Sequence, residues 1–461
     1  MFPPVATLKT LLARRIAMLA RQEFAVDGMA DRLAGTADSY DAVLALAREL
    51  ARIPRRCGCP WIEPDELAGI RAARPAGAAD IVPSRPAPAE LADRISGAVH
   101  GRIAGCVLGK PFEMGLRLPE IRGYLEGAGA WPLDDFVPAS SPTQERELRR
   151  DCLESTRGRV RFAQEDDDIN YLVLGVMVLE RHGAGFTTAD LLRAWSENLP
   201  YGWTWGPEHL VHYRAASLLL DRDNPSPLPE GDEWLEFACL FNAWEEQIGA
   251  MIRADAWGLA NPGRPGLAAA MAWRDAIMSH RRTGLYAAQW TAATLAAAAC
   301  TRDPVEAIRH GIAQVPERSR FAACVRDSLA WALEDDDWLA SWRRIEDRWG
   351  SLGHAGTLNE TAAIVNALVH ARRPGGVDFT AAIATTVMQG YDTDSAGATA
   401  GSIAGTLVGR RGIPARWIEP FGDTFHCCVA GWRTTSIEGL AARLAGVIPA
   451  IDAAAEKGAG I

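Results

Sequence analysis

Long runs of alanine, leucine and valine, separated by loops rich in glycine and proline, are the feature that most limits the fold of this chain. From about Leu91 onward, the strand-like alternation of β-branched residues is scarce. The loops interrupt the apolar runs at several points, including residues 132–142, 200–208 and 261–266. The sequence therefore predicts an all-α fold for the main body of the protein.

The first 90 residues predict two further parts. Residues 1–70 carry apolar side chains at helical spacing, among them Leu8, Leu12 and Leu19, which predicts a small helical extension. Residues 71–90 contain four prolines and many alanines, too broken for a helix and too poor in apolar residues for a strand. We expect a linker there, which leaves residues 91–461 as the main domain.

Composition excludes several classes of partner. At 461 residues the chain can bury a large core, but its net charge of −10 gives no basic surface for nucleic acid or anionic lipid. No stretch approaches the roughly 18 uncharged apolar residues of a membrane span, and Arg14, Arg15 and Arg21 interrupt the first apolar run. We expect a cytoplasmic protein with small or protein-bound substrates, and the oligomeric state stays open.

Two unusual groups of side chains have both a structural and a functional interpretation. The nine cysteines lack disulfide-ladder or zinc-knuckle spacing, so free thiols are expected. His426, Cys427 and Cys428 could bind a soft metal, although buried packing near a helix start is the favoured interpretation. For Trp203 and Trp205, in a glycine-flanked loop, core packing is favoured over a base-stacking pocket.

Two acidic clusters, more than two hundred residues apart, carry the main chemical signal. One is Glu165 to Asp168, and the other is Asp392 to Ser395; each precedes a run that reads as a buried helix. Carboxylates packed this densely repel one another unless a cation neutralises them, and their oxygens suit Mg²⁺, Mn²⁺ or Ca²⁺. A solvated charge run and simple N-capping are the alternatives. We predict that the clusters meet in a metal cage.

A third segment, residues 101–113, has glycines every four residues, which suits close contact between two helices. Pro111 should end its helix just before Glu113. The segment lacks the ending of a phosphate-binding loop. Glycines also recur through residues 397–405, and we expect them to allow the close approach of a neighbouring backbone or a ligand.

Together these segments resemble the ADP-ribosylglycohydrolase family, which comprises all-helical Mg²⁺-dependent enzymes that remove ADP-ribose from proteins. The resemblance covers roughly residues 95–450 and rests on six motifs in the family's order. They are GRIAGCVLGKPFE (101–113), EDDDINY (165–171), IGAMIRAD (248–255), DAIMSHRRTGLY (275–286), HAGTLN (354–359) and GYDTDSAGATAGSIAG (390–405). An ADP-ribosylglycohydrolase-like multi-helix domain is the fold that this likeness implies.

The resemblance also implies a binuclear centre of two Mg²⁺ ions, with Mn²⁺ as a possible substitute. The metal ligands that it implies are Glu165, Asp166, Asp167, Asp392, Asp394 and Ser395. Glu113 and Asp167 are the implied catalytic carboxylates, without a choice between them for proton transfer. Gly249 and His280 match the family positions near ADP-ribose.

Three positions depart from the family pattern: Glu165 replaces a threonine, Cys106 an aspartate and Ala250 a serine. The favoured function is the hydrolysis of the glycosidic bond of an ADP-ribosyl group. The departures leave room for a hydrolase of another ribosylated small molecule or nucleoside. A catalytically silent binding or structural relative is the third possibility.

Several residues keep a purely structural alternative. His280 could cap the C-terminus of a helix, and Arg253 could form a buried ion pair with Asp255 as its partner. Asn359 could cap a helix, and His354 could be an ordinary loop or core histidine.

Overall fold

The computed structural model confirms the all-α class, because helices account for nearly all of its regular structure. Among the described residues, the β-strands form two short antiparallel pairs. The structure describes residues 3–82, 84–113, 115–143, 148, 150–219, 221, 223 and 226–457.

The helices and strands are numbered here in chain order. The N-terminal helices are α1 (Val5–Arg21), α2 (Met29–Gly35), α3 (Tyr40–Ala51) and α4 (Leu67–Ala72). The next group is α5 (Pro88–Gly109), α6 (Leu118–Gly127), α7 (Asp167–His182), α8 (Thr188–Asn198), α9 (Gly206–Leu218), α10 (Glu233–Cys239), α11 (Asp255–Leu259) and α12 (Pro265–Ala276). Then come α13 (Thr283–Ala298), α14 (Pro304–Ile312), α15 (Arg320–Glu334), α16 (Trp338–Trp349), α17 (Thr357–His370), α18 (Phe379–Met388), α19 (Thr393–Val408) and α20 (Ile437–Glu456). The strands are β1 (Arg372–Arg373), β2 (Gly376–Val377), β3 (Thr424–His426) and β4 (Thr434–Ser436).

Helices α1 to α3 bury a small core of their own. Leu12 and Leu19 of α1 are almost fully buried against residues that include Val43 and Leu50 of α3, and this cluster is separate from the main core. The main core draws on helices from α4 to α20. The apolar spacing in the first 70 residues therefore reflects helices whose apolar faces pack mainly against one another.

Buried ion pairs join this N-terminal part to the body. Arg15 of α1 pairs with Glu245, and Asp65 receives hydrogen bonds from Arg281 Nε and the Arg282 backbone N–H, each at 2.8 Å. Burial acts to raise the pKa of Asp65, but the charges of Arg281 and Arg282 outweigh it and hold that pKa below its ordinary value. The N-terminal helices are therefore anchored by charge as well as by apolar contact.

The close contact between α5 and α19 organises the centre of the body. The two helices run antiparallel with glycine against glycine, and a Cβ atom at Gly101 or Gly105 would overlap the backbone of Gly401 or Gly397. This confirms that the four-residue glycine spacing serves the approach of two helices. Because the helices are antiparallel, the end of α5 lies beside the start of α19.

Two side-chain interpretations from the sequence need correction. Trp205 is 54% exposed and packs edge-on against Trp203 at 6.1 Å between ring centroids, so it does not plug the core. His426 ends β3 rather than lying near a helix start, and it stacks on Phe162. Cys427 is buried as expected, and its thiol donates to Asn170.

None of the helices in the described ranges combines the length and hydropathy required to cross a bilayer.

Candidate active site

The junction of α5 and α19 brings together carboxylates that are far apart in the sequence. After α5 ends, a single 3-10 turn leads to Glu113, while Asp392 and Asp394 lie at the start of α19. The Thr393 hydroxyl donates to the Gly109 carbonyl at 2.7 Å and fixes the two chain segments. One oxygen from each of Glu113, Asp392 and Asp394 lies within 4.8 Å of the other two. This set is named the Glu113 group below.

The second acidic segment reaches the same place from α7. Asp166 is the N-cap of α7, and its Oδ1 accepts a hydrogen bond from the Asp168 backbone N–H at 3.0 Å. Its other oxygen pairs with Lys110 Nζ at 2.9 Å. Cys106, Asp166 and Asp168 form a second set of atoms within 4.8 Å of one another, named the Cys106 group below. The two acidic clusters meet, as the sequence predicts, because the Ser395 hydroxyl donates a hydrogen bond to Asp168 Oδ2 at 3.0 Å.

Two neighbouring side chains hold the carboxylate of Asp168. Its Oδ1 pairs with Arg102 at 2.9 Å, and its Oδ2 accepts from the Ser395 hydroxyl at 3.0 Å. Arg102 is fully buried on α5 and also pairs with Asp255 at 2.9 Å. The hydroxyl of Ser395, an expected metal ligand, is thus hydrogen-bonded to a carboxylate. The sequence analysis did not select Asp168 as a site residue, because the resemblance assigned ligand roles only to the three acids before it.

Electrostatic repulsion is severe in the Glu113 group. Burial raises the pKa values of Asp392 and Asp394 well above the ordinary value of an aspartate, and the charges of neighbouring carboxylates, Glu113 among them, raise both pKa values further. Asp167 is half-buried, and burial together with the charges of Asp166, Asp168, Asp394 and Glu113 raises its pKa well above the ordinary value. Asp167 therefore lies within the field of both groups.

Glu360, in the first turn of α17, is an acidic residue that the sequence reasoning did not select. It is fully buried, and its Oε1 accepts a hydrogen bond from the Asp392 backbone N–H at 2.9 Å. Burial raises the pKa of Glu360 well above the ordinary value, and the charge of Asp394 adds to this. The only sequence signal was its place directly after the HAGTLN motif. His354, from the same motif, lies 3.9 Å from Asp392 through its Nε2.

Unpaired buried oxygens mark where a cation would fit. Asp394 Oδ1 and Glu360 Oε2 are both buried without a hydrogen-bond partner among the described atoms. An uncompensated buried carboxylate is costly, so such atoms are expected to meet a proton or a metal ion. The donors are hard oxygens, which suit Mg²⁺ or Mn²⁺. The residues present therefore fit a divalent cation.

Glu165 lies at the edge of this arrangement. Its side chain is half-buried, and its backbone carbonyl accepts a hydrogen bond from Lys110 Nζ at 2.7 Å. Its charge contributes to the raised pKa of Cys428, which burial raises to about 11. Within the described residues, its carboxylate belongs to neither the Glu113 group nor the Cys106 group.

Gly249 and His280 lie together around Glu208. A Cβ atom at Gly249 would overlap the Glu208 carboxylate, and His280 Nδ1 is 3.7 Å from Glu208 Oε1. His280 is fully buried, and burial with the nearby charge of Arg253 lowers its pKa well below the ordinary value. It is therefore a neutral buried imidazole, and only Gly249 of this pair is partly exposed.

Arg253 is the cation at the centre of this second cluster. It pairs with Glu208 and, at 3.0 Å, with Asp275, which corrects the expectation that Asp255 is its partner. Burial raises the pKa of Glu208 to about 7 in spite of Arg253. The cluster adjoins the acidic site through Tyr171, because Arg253 lies 5.6 Å from the centroid of that ring and Tyr171 follows Asp167 by about one turn on α7.

Comparison with known proteins agrees with the sequence motifs. A family model described as ADP-ribosylglycohydrolase matches residues 87–453. The search of curated proteins finds no significant match. One solved structure, titled "ADP-ribosylglycohydrolase-related protein complex", is similar at 18% identity, with 79% of this chain and 99% of that chain covered and a TM-score of 0.48.

Proposed function

The chain belongs to the ADP-ribosylglycohydrolase family, and from this premise we propose that it uses a divalent cation to hydrolyse the glycosidic bond of an ADP-ribosyl group. The observation that carries the proposal is the Glu113 group, in which carboxylates from two distant segments converge around an unpaired buried oxygen of Asp394. Such a group is stabilised by a proton or by a cation, and a metal ion supplies the positive charge.

Asp392, Asp394 and Glu113 would hold the cation, with Asp167 beside them. A bound Mg²⁺ or Mn²⁺ lowers the pKa of water and polarises ribose oxygens. Glu113 is partly exposed, whereas Asp392 and Asp394 are buried. We assign Glu113 and Asp167 to the movement of the proton and to stabilisation of positive charge at the anomeric carbon.

The substrate side of the proposal rests on the loop around Gly249. Glycine leaves the backbone there accessible, because any side chain would collide with Glu208. His280, buried behind Glu208, would support this loop from within rather than touch the ligand from the surface. Ala250 is buried and offers no hydroxyl group, which makes a different ribosylated compound the second candidate substrate.

Calorimetry on the metal-free full-length protein tests the proposal. We expect ADP-ribose to bind only after Mg²⁺ is added, and to lose its binding in an Asp392→Ala/Asp394→Ala variant. An Asp38→Ala variant, changed at an exposed carboxylate of the N-terminal part, is the matched control and should bind as the parent does. Metal binding without ADP-ribose binding would favour the second substrate class, and the absence of both would refute the proposal.

A further inference from the structure

We propose that the site takes one divalent cation, in the Glu113 group, and that the ammonium of Lys110 stands where a second cation would otherwise neutralise Asp166. This inference rests on the proposed function, because it presumes that the site binds metal at all. It departs from the two ions that the family resemblance implies.

Lys110 is built into the site rather than placed near it. It follows α5 directly, and its side chain is only 10% exposed. Its ammonium donates to Asp166 Oδ2 at 2.9 Å and to the Glu165 carbonyl at 2.7 Å. Both acceptors come from the segment that enters α7, so the lysine ties the end of α5 to that segment.

Every carboxylate oxygen of the Cys106 group already accepts a hydrogen bond from the protein. Both oxygens of Asp166 are occupied, by Lys110 and by the Asp168 backbone N–H. Both oxygens of Asp168 are occupied as well, by Arg102 and by the Ser395 hydroxyl. A divalent ion there would compete with the ammonium of Lys110 and the guanidinium of Arg102, and its third donor would be a thiol in place of a hard oxygen.

The Glu113 group is the opposite case. Asp394 is 3% exposed and its Oδ1 has no hydrogen-bond partner among the described atoms, and the same is true of Oε2 of the fully buried Glu360. Its charged neighbours are mostly further carboxylates. The oxygens on the Lys110 side of the site therefore have protein donors, whereas Asp394 Oδ1 and Glu360 Oε2 have none among the described atoms, which is where one ion would go.

Titration of the metal-free full-length protein with Mn²⁺ alone tests this inference. Calorimetry should give one site per chain, and electron paramagnetic resonance should show an isolated ion rather than an exchange-coupled pair. In Lys110→Ala, the removal of the ammonium exposes Asp166, so a second Mn²⁺ should bind. Lys110→Arg, which keeps the charge, should still bind one.

The outcomes separate this inference from the function on which it depends. Two ions in the unmodified protein would overturn the inference and leave the proposed function standing. One ion in both the unmodified protein and Lys110→Ala would overturn the role of the lysine. No Mn²⁺ binding at all would overturn both proposals. The result for the unmodified protein decides the stoichiometry even if Lys110→Ala does not fold.

Discussion

A methyl group inserted between α5 and α19 should both destabilise the protein and weaken its metal site. Gly105 faces the backbone of Gly397, and the Cβ atom of an alanine would overlap the carbonyl group there. A backbone atom cannot rotate away as a side chain can, so the helices must separate by something on the order of 1 Å. The same separation moves Glu113 away from Asp394.

The magnitude follows from two opposing effects. Overpacking of a tight contact costs up to about 3 kcal/mol. Replacing a helical glycine by alanine returns roughly 1 kcal/mol through helix propensity. The free energy of unfolding of Gly105→Ala should therefore fall by about 2 kcal/mol.

The matched control is Gly123→Ala in α6, where an added Cβ atom would have no atom within 4 Å. This variant should be more stable than the parent by about 0.5–1 kcal/mol, since only the propensity effect remains. Urea denaturation of the three proteins measures the difference, and Mn²⁺ titration measures the site. Equal stability of Gly105→Ala and Gly123→Ala would refute the argument that glycine is needed at the helix contact.

Three other predictions concern charge and metal. Burial opposes ionisation of Glu246, but Arg320 and Arg282 lower its pKa to about 2. The ionised carboxylate of Glu246 therefore stabilises the fold above pH 4.5, the pKa of the unfolded state, and this stabilisation is lost as the pH falls towards 2. At pH 7, Glu246→Gln should therefore have a free energy of unfolding lower than that of the parent by on the order of 3 kcal/mol, and near pH 2 the two proteins should be close in stability. Urea denaturation midpoints measured across this pH range test the prediction. Equal midpoints at pH 7 would contradict it. Asp65→Ala should lower the free energy of unfolding by about 3–5 kcal/mol, because it leaves Arg281 buried without its partner. Limited proteolysis should then cleave the variant faster than the parent within residues 73–87. An unchanged cleavage rate would count against the anchoring role of Asp65. Mg²⁺ at about 100 times its Kd should stabilise the protein by about 2.7 kcal/mol and so raise its thermal denaturation temperature. In Asp394→Asn this rise should be absent. The same rise in the variant would exclude the Asp394 carboxylate as a ligand.

The fold class and the role of the glycine-rich helix faces were predictable because their signals are local. The four-residue glycine spacing in residues 101–109 and 397–405 reports directly on helix faces, and the acids at the starts of α7 and α19 precede visibly apolar runs. Contact between those two segments also followed from their chemistry, since neither acidic cluster can be buried without a counter-charge.

The pairing of individual side chains was less accessible. Adjacent acids at a helix start point in different directions, so the sequence did not indicate that Asp168 turns to Arg102 and Ser395. Glu360 enters from a helix whose approach depends on the whole core. The true partners of Arg253 likewise come from two helices distant in the sequence.

The most direct test of the account is the release of ADP-ribose from ADP-ribosylated peptides, compared with and without chelation of divalent cations. The account predicts release that requires added Mg²⁺ or Mn²⁺ and that is lost in the Asp392→Ala/Asp394→Ala variant. Release that persists in the chelated protein or in this variant would contradict the assignment of the Glu113 group as the catalytic metal site. No release from any linkage by the metal-loaded protein would contradict the proposed activity itself.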